Sequence, residues 1–99
     1  MGTREDEGND MCTAIAERHE FTGSGKGANG WFHLRQLYVG YDHPVHVDLE
    51  HAVLLDFVDE ARPGARVAVE LPRDAARDLA HRILATIDAA DAYEAAAAG

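Results

Sequence analysis

The segment "YDHPVHVDLEH", residues 41–51, places three histidines and three carboxylates among eleven residues. Imidazole and carboxylate groups bind metal ions and transfer protons near neutral pH. We therefore take His43, His46 and His51 as candidate catalytic residues. Tyr41, at the start of the segment, is a candidate contact for a substrate.

This segment allows three interpretations. His43, His46 and Glu50 could bind Zn or Fe, although their spacing matches no complete metal motif. A site without a metal is an equal expectation, with one histidine as general acid or base and Asp42 or Glu50 orienting its ring. In the third interpretation the charged side chains form the solvated edge of a strand and have no chemical role.

The conformation around Pro44 decides which histidines can cooperate. In one unbroken strand His46 would be out of phase with His43 and His51, because successive side chains alternate between the two sides. Proline biases the preceding residue toward an extended conformation and donates no hydrogen bond, so an edge segment or a loop is predicted over residues 42–48. A turn at Pro44 would gather the histidines, whereas a straight strand would separate them.

Asp56 is unusual because it interrupts the apolar run "HAVLLDFV", residues 51–58. A carboxylate directed toward an apolar sheet face could act as a base or as the partner of a histidine. A strand end or bulge that exposes Asp56 to water is the alternative.

The glycine-rich segment "TGSGKGANG", residues 22–30, predicts a flexible loop that could close over the site as a lid. Lys26 and Asn29 are candidate contacts for an anionic substrate, and Trp31 either lines a pocket or fills the core. The phosphate-loop motif is not matched, because Gly27 follows Lys26 where that motif needs Ser or Thr.

Composition limits the classes of function. A chain of 99 residues is one domain, and its formal charge of −9 argues against nucleic acid or an anionic membrane as a partner. The single cysteine, Cys12, allows no internal disulfide, so a cytoplasmic location is expected, with Cys12 as a buried thiol. Translation from Met11 would instead leave Cys12 as an N-terminal nucleophile. The expected partners are a small-molecule ligand and a second copy of the chain, since a homodimer would complete a shallow pocket.

Alternating apolar residues predict strands over residues 11–21, 31–41, 51–59 and 65–71. The third of these also has helical spacing, but the loop at residues 60–64 and the clean alternation that follows favour a hairpin. Residues 1–10 have the composition of a disordered leader.

After Pro72 the apolar residues recur with helical spacing, and Pro72 and Asp74 are typical of a helix start. We call these apolar positions the helix stripe; they are Ala76, Leu79, Ala80, Ile83, Ile87 and Ala90. The predicted fold is α+β, a small antiparallel sheet of about four strands with one long C-terminal helix packed on one face, in a single domain over residues 11–96.

The combination of "MCT" (11–13), "GSGKGANGW" (23–31), "YDHPVH" (41–46), "EHAVLLDFV" (50–58) and "PGARVAVEL" (63–71) resembles a family of small bacterial proteins of unknown function. The resemblance covers nearly all of the chain from Met11 onward and implies a stand-alone domain. It brings no established activity or site.

The leading functional prediction is a small cytoplasmic enzyme that acts on a polar small molecule in an isomerase, cyclase or lyase/hydrolase-type step, with a place in biosynthesis. The alternative is a non-catalytic dimeric binding or assembly domain whose histidines lie on the surface.

Overall fold

The computed structural model describes residues 13–98, which form a four-stranded antiparallel sheet followed by one helix. The elements are β1 (Thr13–Gly27), β2 (Gly30–Asp42), β3 (Ala52–Val58), β4 (Arg66–Leu71) and α1 (Arg73–Ala98). Each strand pairs with its neighbour in sequence. The predicted α+β class, sheet and helix are therefore confirmed. The predictions for the leader, Met11 and Cys12 lie outside the described residues.

The glycine-rich segment is part of a strand. β1 runs through it to Gly27, and Ala28 and Asn29 form the turn into β2. The glycines leave room for large β2 side chains that cross the backbone of β1: a Cβ on Gly25 would lie 2.8 Å from Leu34 Cδ2, and the Leu34 side chain would have to shift. The prediction of a flexible loop over residues 22–30 is wrong, because side chains of the neighbouring strand fill the space that the glycines leave.

One face of the sheet carries a continuous apolar surface. Strand alternation and register place nine apolar side chains there in three rows of three. We call this set the apolar grid; its rows are Tyr41–Val53–Leu71, Val39–Leu55–Val69 and Leu37–Phe57–Val67. None of the nine is buried in the described structure, not even the central Leu55. No part of the chain between residues 13 and 98 therefore fully covers the grid.

The opposite face, which we call the polar face, is occupied by charged pairs. Arg66 donates to both oxygens of Asp56, at 3.2 and 2.7 Å. Arg18 donates to both oxygens of Glu60, at 2.9 and 2.7 Å, and the Tyr38 hydroxyl also donates to Glu60.

The helix does not lie on the sheet. No residue of α1 is buried, and Ala76, in the first turn, is its one residue that is not exposed. Pro72 alone separates the end of β4 from the start of α1, and its carbonyl already accepts the Ala76 N–H at 3.0 Å. A strand-to-helix connection that reverses direction usually needs two or more residues. This short connection explains why the helix leaves the sheet, whereas the sequence predicts that it covers one face.

Residues 13–98 contain no helix that is both long enough and apolar enough to cross a lipid bilayer.

Candidate functional site

The histidine segment forms the loop between β2 and β3, residues 43–51. The Glu70 carboxylate of β4 accepts the backbone N–H groups of Val45 at 2.7 Å, His46 at 2.8 Å and Val47 at 3.3 Å. These hydrogen bonds, first those of Val45 and His46, hold the pKa of Glu70 below its ordinary value. The loop is therefore fixed to the last strand of the sheet.

Two of the three predicted histidines meet in this loop. The rings of His43 and His51 are stacked with their centroids 4.7 Å apart, and His51 stacks on Tyr41 at 5.5 Å. His43 Nδ1 lies 2.9 Å from the main-chain oxygen of Glu50. Because a carbonyl only accepts, Nδ1 is the donor, and in the neutral ring Nε2 is left as a base.

Two arginines of the helix border the same place. A cavity of about 470 Å³ is lined by Tyr41, Leu49, His51, Pro72, Arg73, Asp74 and Arg77. Arg73 and Arg77 lie four residues apart and hence on one side of the first two turns of α1. We call Tyr41, His43, His51, Arg73 and Arg77 the histidine site.

The charge of the histidine site differs from that of the chain as a whole. Two guanidinium groups and two imidazoles face one carboxylate, Asp74, in a chain of formal charge −9. The amino end of α1 adds partial positive charge. Sequence reasoning missed Arg73 and Arg77, although their spacing of four directly after the last strand is visible in the sequence.

The predicted metal ligands are not brought together. His46 Nδ1 is 3.9 Å from Glu70 Oε1, and the His46 side chain is 87% exposed. Glu50 contacts His43 through its main-chain oxygen rather than its carboxylate. Among residues 13–98 no three His, Cys, Asp or Glu side chains form a group that could bind a metal ion.

Asp56 lies outside the cavity that Arg73 and Arg77 line. It lines a second cavity, of about 400 Å³, on the polar face, together with Arg66 and His43. Its side chain is half-buried and paired with Arg66 rather than with a histidine. Asp56 lies within β3, opposite Tyr38 and Ala68 on the polar face, which is neither of the two placements considered from the sequence: the apolar side, or a strand end open to water.

The predicted anion contacts Lys26 and Asn29 lie at the other end of the sheet. Lys26 pairs with Trp31 beside the β1–β2 turn, and the ten residues from Trp31 to Tyr41 along β2 span about 33 Å. Trp31 is 71% exposed. The structure therefore does not bring the glycine-rich segment to the histidines, and a lid from this segment is excluded by its place in β1 and β2.

A second group with perturbed titration lies on the polar face. Hydrogen bonds from Arg18 and then from Tyr38 lower the pKa of Glu60 to about 2. The bond to Glu60 in turn raises the pKa of Tyr38. All three groups are partners of one another, which is typical of an ion-pair network and leaves no free catalytic group there.

The chain matches no curated protein and no solved structure. Its sequence does match one described protein family over residues 11–97. That range includes the whole sheet, the histidine loop and nearly all of α1. The chain therefore belongs to DUF6295, a family of unknown function.

Proposed function

We propose that the histidine site binds a small molecule carrying a carboxylate or phosphate group, and that His51, with its ring stacked on His43, exchanges protons with it. The observation that carries this proposal is the stacked pair of imidazoles beside a cavity that Arg73 and Arg77 also line. Guanidinium groups bind carboxylates and phosphates through paired hydrogen bonds. Imidazole is the side chain suited to accept and return a proton near neutral pH.

Each ring has a distinct role in this proposal. His51 lines the cavity and is held between two rings, so it is the group that faces the bound molecule. His43 stacks on the far side of His51, and Glu50 fixes its tautomer. Such a site would serve an isomerisation, a cyclisation or a lyase/hydrolase-type step in the cytoplasm.

Anion binding is tested by NMR titration of the ¹⁵N-labelled full chain with inorganic phosphate and with benzoate. The expected result is saturable shifts at His51, Arg73 and Arg77. Arg77→Gln should weaken binding about tenfold or more, since a charge-assisted hydrogen bond is lost. Arg82→Gln is the matched control, because Arg82 pairs with Asp78 outside the cavity.

Proton transfer is tested separately, by incubating the chain with pooled small carboxylates and phosphates and following turnover by NMR. His51→Gln should abolish any conversion, and Arg82→Gln should leave it unchanged. Binding that survives Arg77→Gln, or turnover that survives His51→Gln, would contradict the proposal.

A non-catalytic dimeric binding or assembly domain is the second candidate. The exposed helix stripe and apolar grid favour it, because exposed apolar surfaces of this size mark interaction sites. Anion binding without turnover would leave this second candidate as the function.

A further inference from the structure

We infer that α1 packs on the apolar grid of a second copy of this chain, and that two copies exchange helices in this way. This inference concerns surfaces outside the cavity of the histidine site, apart from Tyr41 in the end row of the grid, and it does not depend on a ligand there.

The first observation is that no residue of α1 is buried by the described chain, residues 13–98, although the first turns of α1 border the sheet. Leu79, Ile83 and Ile87 of the helix stripe are 40%, 51% and 48% exposed. Helices in water gain most of their stability by packing an apolar side, and an isolated helix is marginal. A helix of 26 residues with its apolar stripe open to water therefore requires a covering surface.

The second observation is that residues 13–98 cover the apolar grid only in part. Leu55 is surrounded by eight apolar neighbours and still is not buried, and Val69 is 38% exposed. In residues 15–98 only Phe32, Ala52 and Asp59 are buried, so the sheet encloses almost no core of its own. Covering the grid would supply the core that a domain of this size needs.

The helix cannot reach the grid of its own chain. Leu71 belongs to the end row of the grid, and α1 starts two residues later with Pro72 as the whole connection. Each further residue carries the helix about 1.5 Å farther along its axis. No part of residues 13–98 covers the stripe, and the inference assigns its cover to another molecule.

A second copy is the occupant that the two surfaces fit. None of the six residues of the helix stripe and none of the nine grid residues is charged, so a contact between these side chains buries no unpaired charge. The stripe is about 21 Å long, and the grid measures about 13 Å along the strands and 10 Å across them. Each chain carries both surfaces, so a twofold exchange closes with no surface left over.

The expected area is that of a stable dimer. Two equivalent contacts of a helix on a sheet would together bury on the order of 1,500 Å², within the range of specific protein interfaces. Small side chains in the stripe, Ala76, Ala80 and Ala90, allow the helix backbone to approach the sheet closely.

The first test is the mass of the full chain in solution, measured by sedimentation velocity from micromolar to submillimolar concentration. We expect a dimer, and we expect Ile83→Glu to raise its dissociation constant by about 100-fold or more, because each dimer would bury two such charges. Ala85→Glu is the matched control: it adds the same charge on the side of α1 opposite the stripe and should leave the dimer intact. A chain that stays monomeric at every concentration overturns the inference, as does a dimer that tolerates Ile83→Glu.

The second test requires no destabilising substitution. In the unaltered chain, hydrogen exchange at the amides of residues 79–90 should slow as the concentration rises, because an unpacked helix frays and a docked one does not. Exchange that is independent of concentration would mean that the helix is covered within its own chain or not at all, and either result overturns the inference.

The third test distinguishes helix-on-sheet from helix-on-helix packing. Two differently tagged chains, both with Cys12→Ser, carry Val69→Cys and Ile83→Cys respectively, and the mixture is oxidised. A mixed disulfide supports exchange of helices between copies. Disulfides confined to pairs of Ile83→Cys chains would show that the helices pair with each other instead, which overturns the inference.

Discussion

The two faces of the sheet differ in how far their side chains find partners within one chain. On the polar face, Asp56 has Arg66 as its partner, Glu60 has Arg18 and Tyr38, and Glu70 has three backbone amides. On the apolar face none of the nine grid residues is buried. The helix α1, which carries an apolar stripe, does not pack on them. In the described residues these three carboxylates are thus fully paired, whereas the apolar grid is only partly covered.

This difference indicates that ion pairs and apolar burial contribute to the fold in different ways. Ion pairs with exposed members contribute little stability, so the polar network mainly fixes the positions of the loops. Apolar burial is the dominant favourable contribution to folding, and this chain can obtain most of it only by association. We therefore expect the stability of the fold to depend on concentration, while the geometry of the polar face does not.

The largest expected effect compares two adjacent leucines on opposite faces. Leu55→Ala removes the centre of the grid and should lower the free energy of unfolding by about 3 kcal/mol, and Leu54→Ala on the polar face by about 1 kcal/mol. Urea unfolding followed by circular dichroism measures both. The loss for Leu55→Ala should also grow with protein concentration, because the grid is covered only in the dimer. Equal losses would remove the distinction between the faces.

Acid should act on the polar face alone. The pKa of Glu60 is about 2 in the folded chain and near 4.5 ordinarily, so its contribution is fully present above pH 4.5 and is lost as the pH falls toward 2. Unfolding curves measured across this range should show a smaller acid dependence for Glu60→Gln than for the unaltered chain. Glu20→Gln is the control, because Glu20 contacts Arg18 through one oxygen and is 75% exposed. A steeper acid dependence in Glu60→Gln would contradict the assignment.

A smaller and local effect is expected at Glu70. The pKa of Glu70 is lowered by the amides of Val45, His46 and Val47, so the contact persists until the pH falls below the ordinary range of glutamate. Glu70→Gln weakens acceptance of these hydrogen bonds. Exchange of the three amides should accelerate about tenfold, since one charge-assisted hydrogen bond corresponds to roughly that factor. The same change at Glu50, whose carboxylate does not contact the loop amides in the described structure, should have no effect.

The smallest effect is expected at Asp56. Asp56→Asn weakens its pair with Arg66, whose side chain is 61% exposed, and should lower the free energy of unfolding by about 0.5 kcal/mol. Thermal unfolding at fixed concentration measures this change. A loss as large as that of Leu55→Ala would mean that the polar face, rather than the apolar one, holds the fold together.

The fold could be predicted wherever local pattern and final packing agree. The alternation of Val67, Val69 and Leu71 predicts β4 correctly. Together with the loop after β3 it predicts a hairpin, and a hairpin requires a strand rather than a helix over residues 51–59. The glycine-rich part of β1 could not be predicted, because its order comes from Leu34 and Phe32 on the next strand. The direction of α1 depends on the single connecting residue Pro72. The spacing of apolar residues does not predict this direction.

The candidate site was predictable in part. The bends over residues 45–50, after Pro44, bring His51 back to His43 and leave His46 outside, so the sequence posed the geometric alternative without deciding it. Arg73 and Arg77 join the site through the start of α1, a contact between distant parts of the sheet and helix. The sequence predicts a flexible loop that could bring Lys26 and Asn29 to the histidines. Extended strands instead place these two residues at the opposite end of the sheet.

Because one residue, Pro72, joins α1 to the sheet, a small rotation at this junction displaces the far end of the helix by a large distance. Its 26 residues form an arm about 39 Å long, so a rotation of about 10° at the junction would displace the far end by roughly 7 Å. Arg73 and Arg77 lie next to this junction and line the cavity of the histidine site. A molecule that draws these two side chains toward His51 would therefore move the distant tip of the arm far more than it moves the site itself.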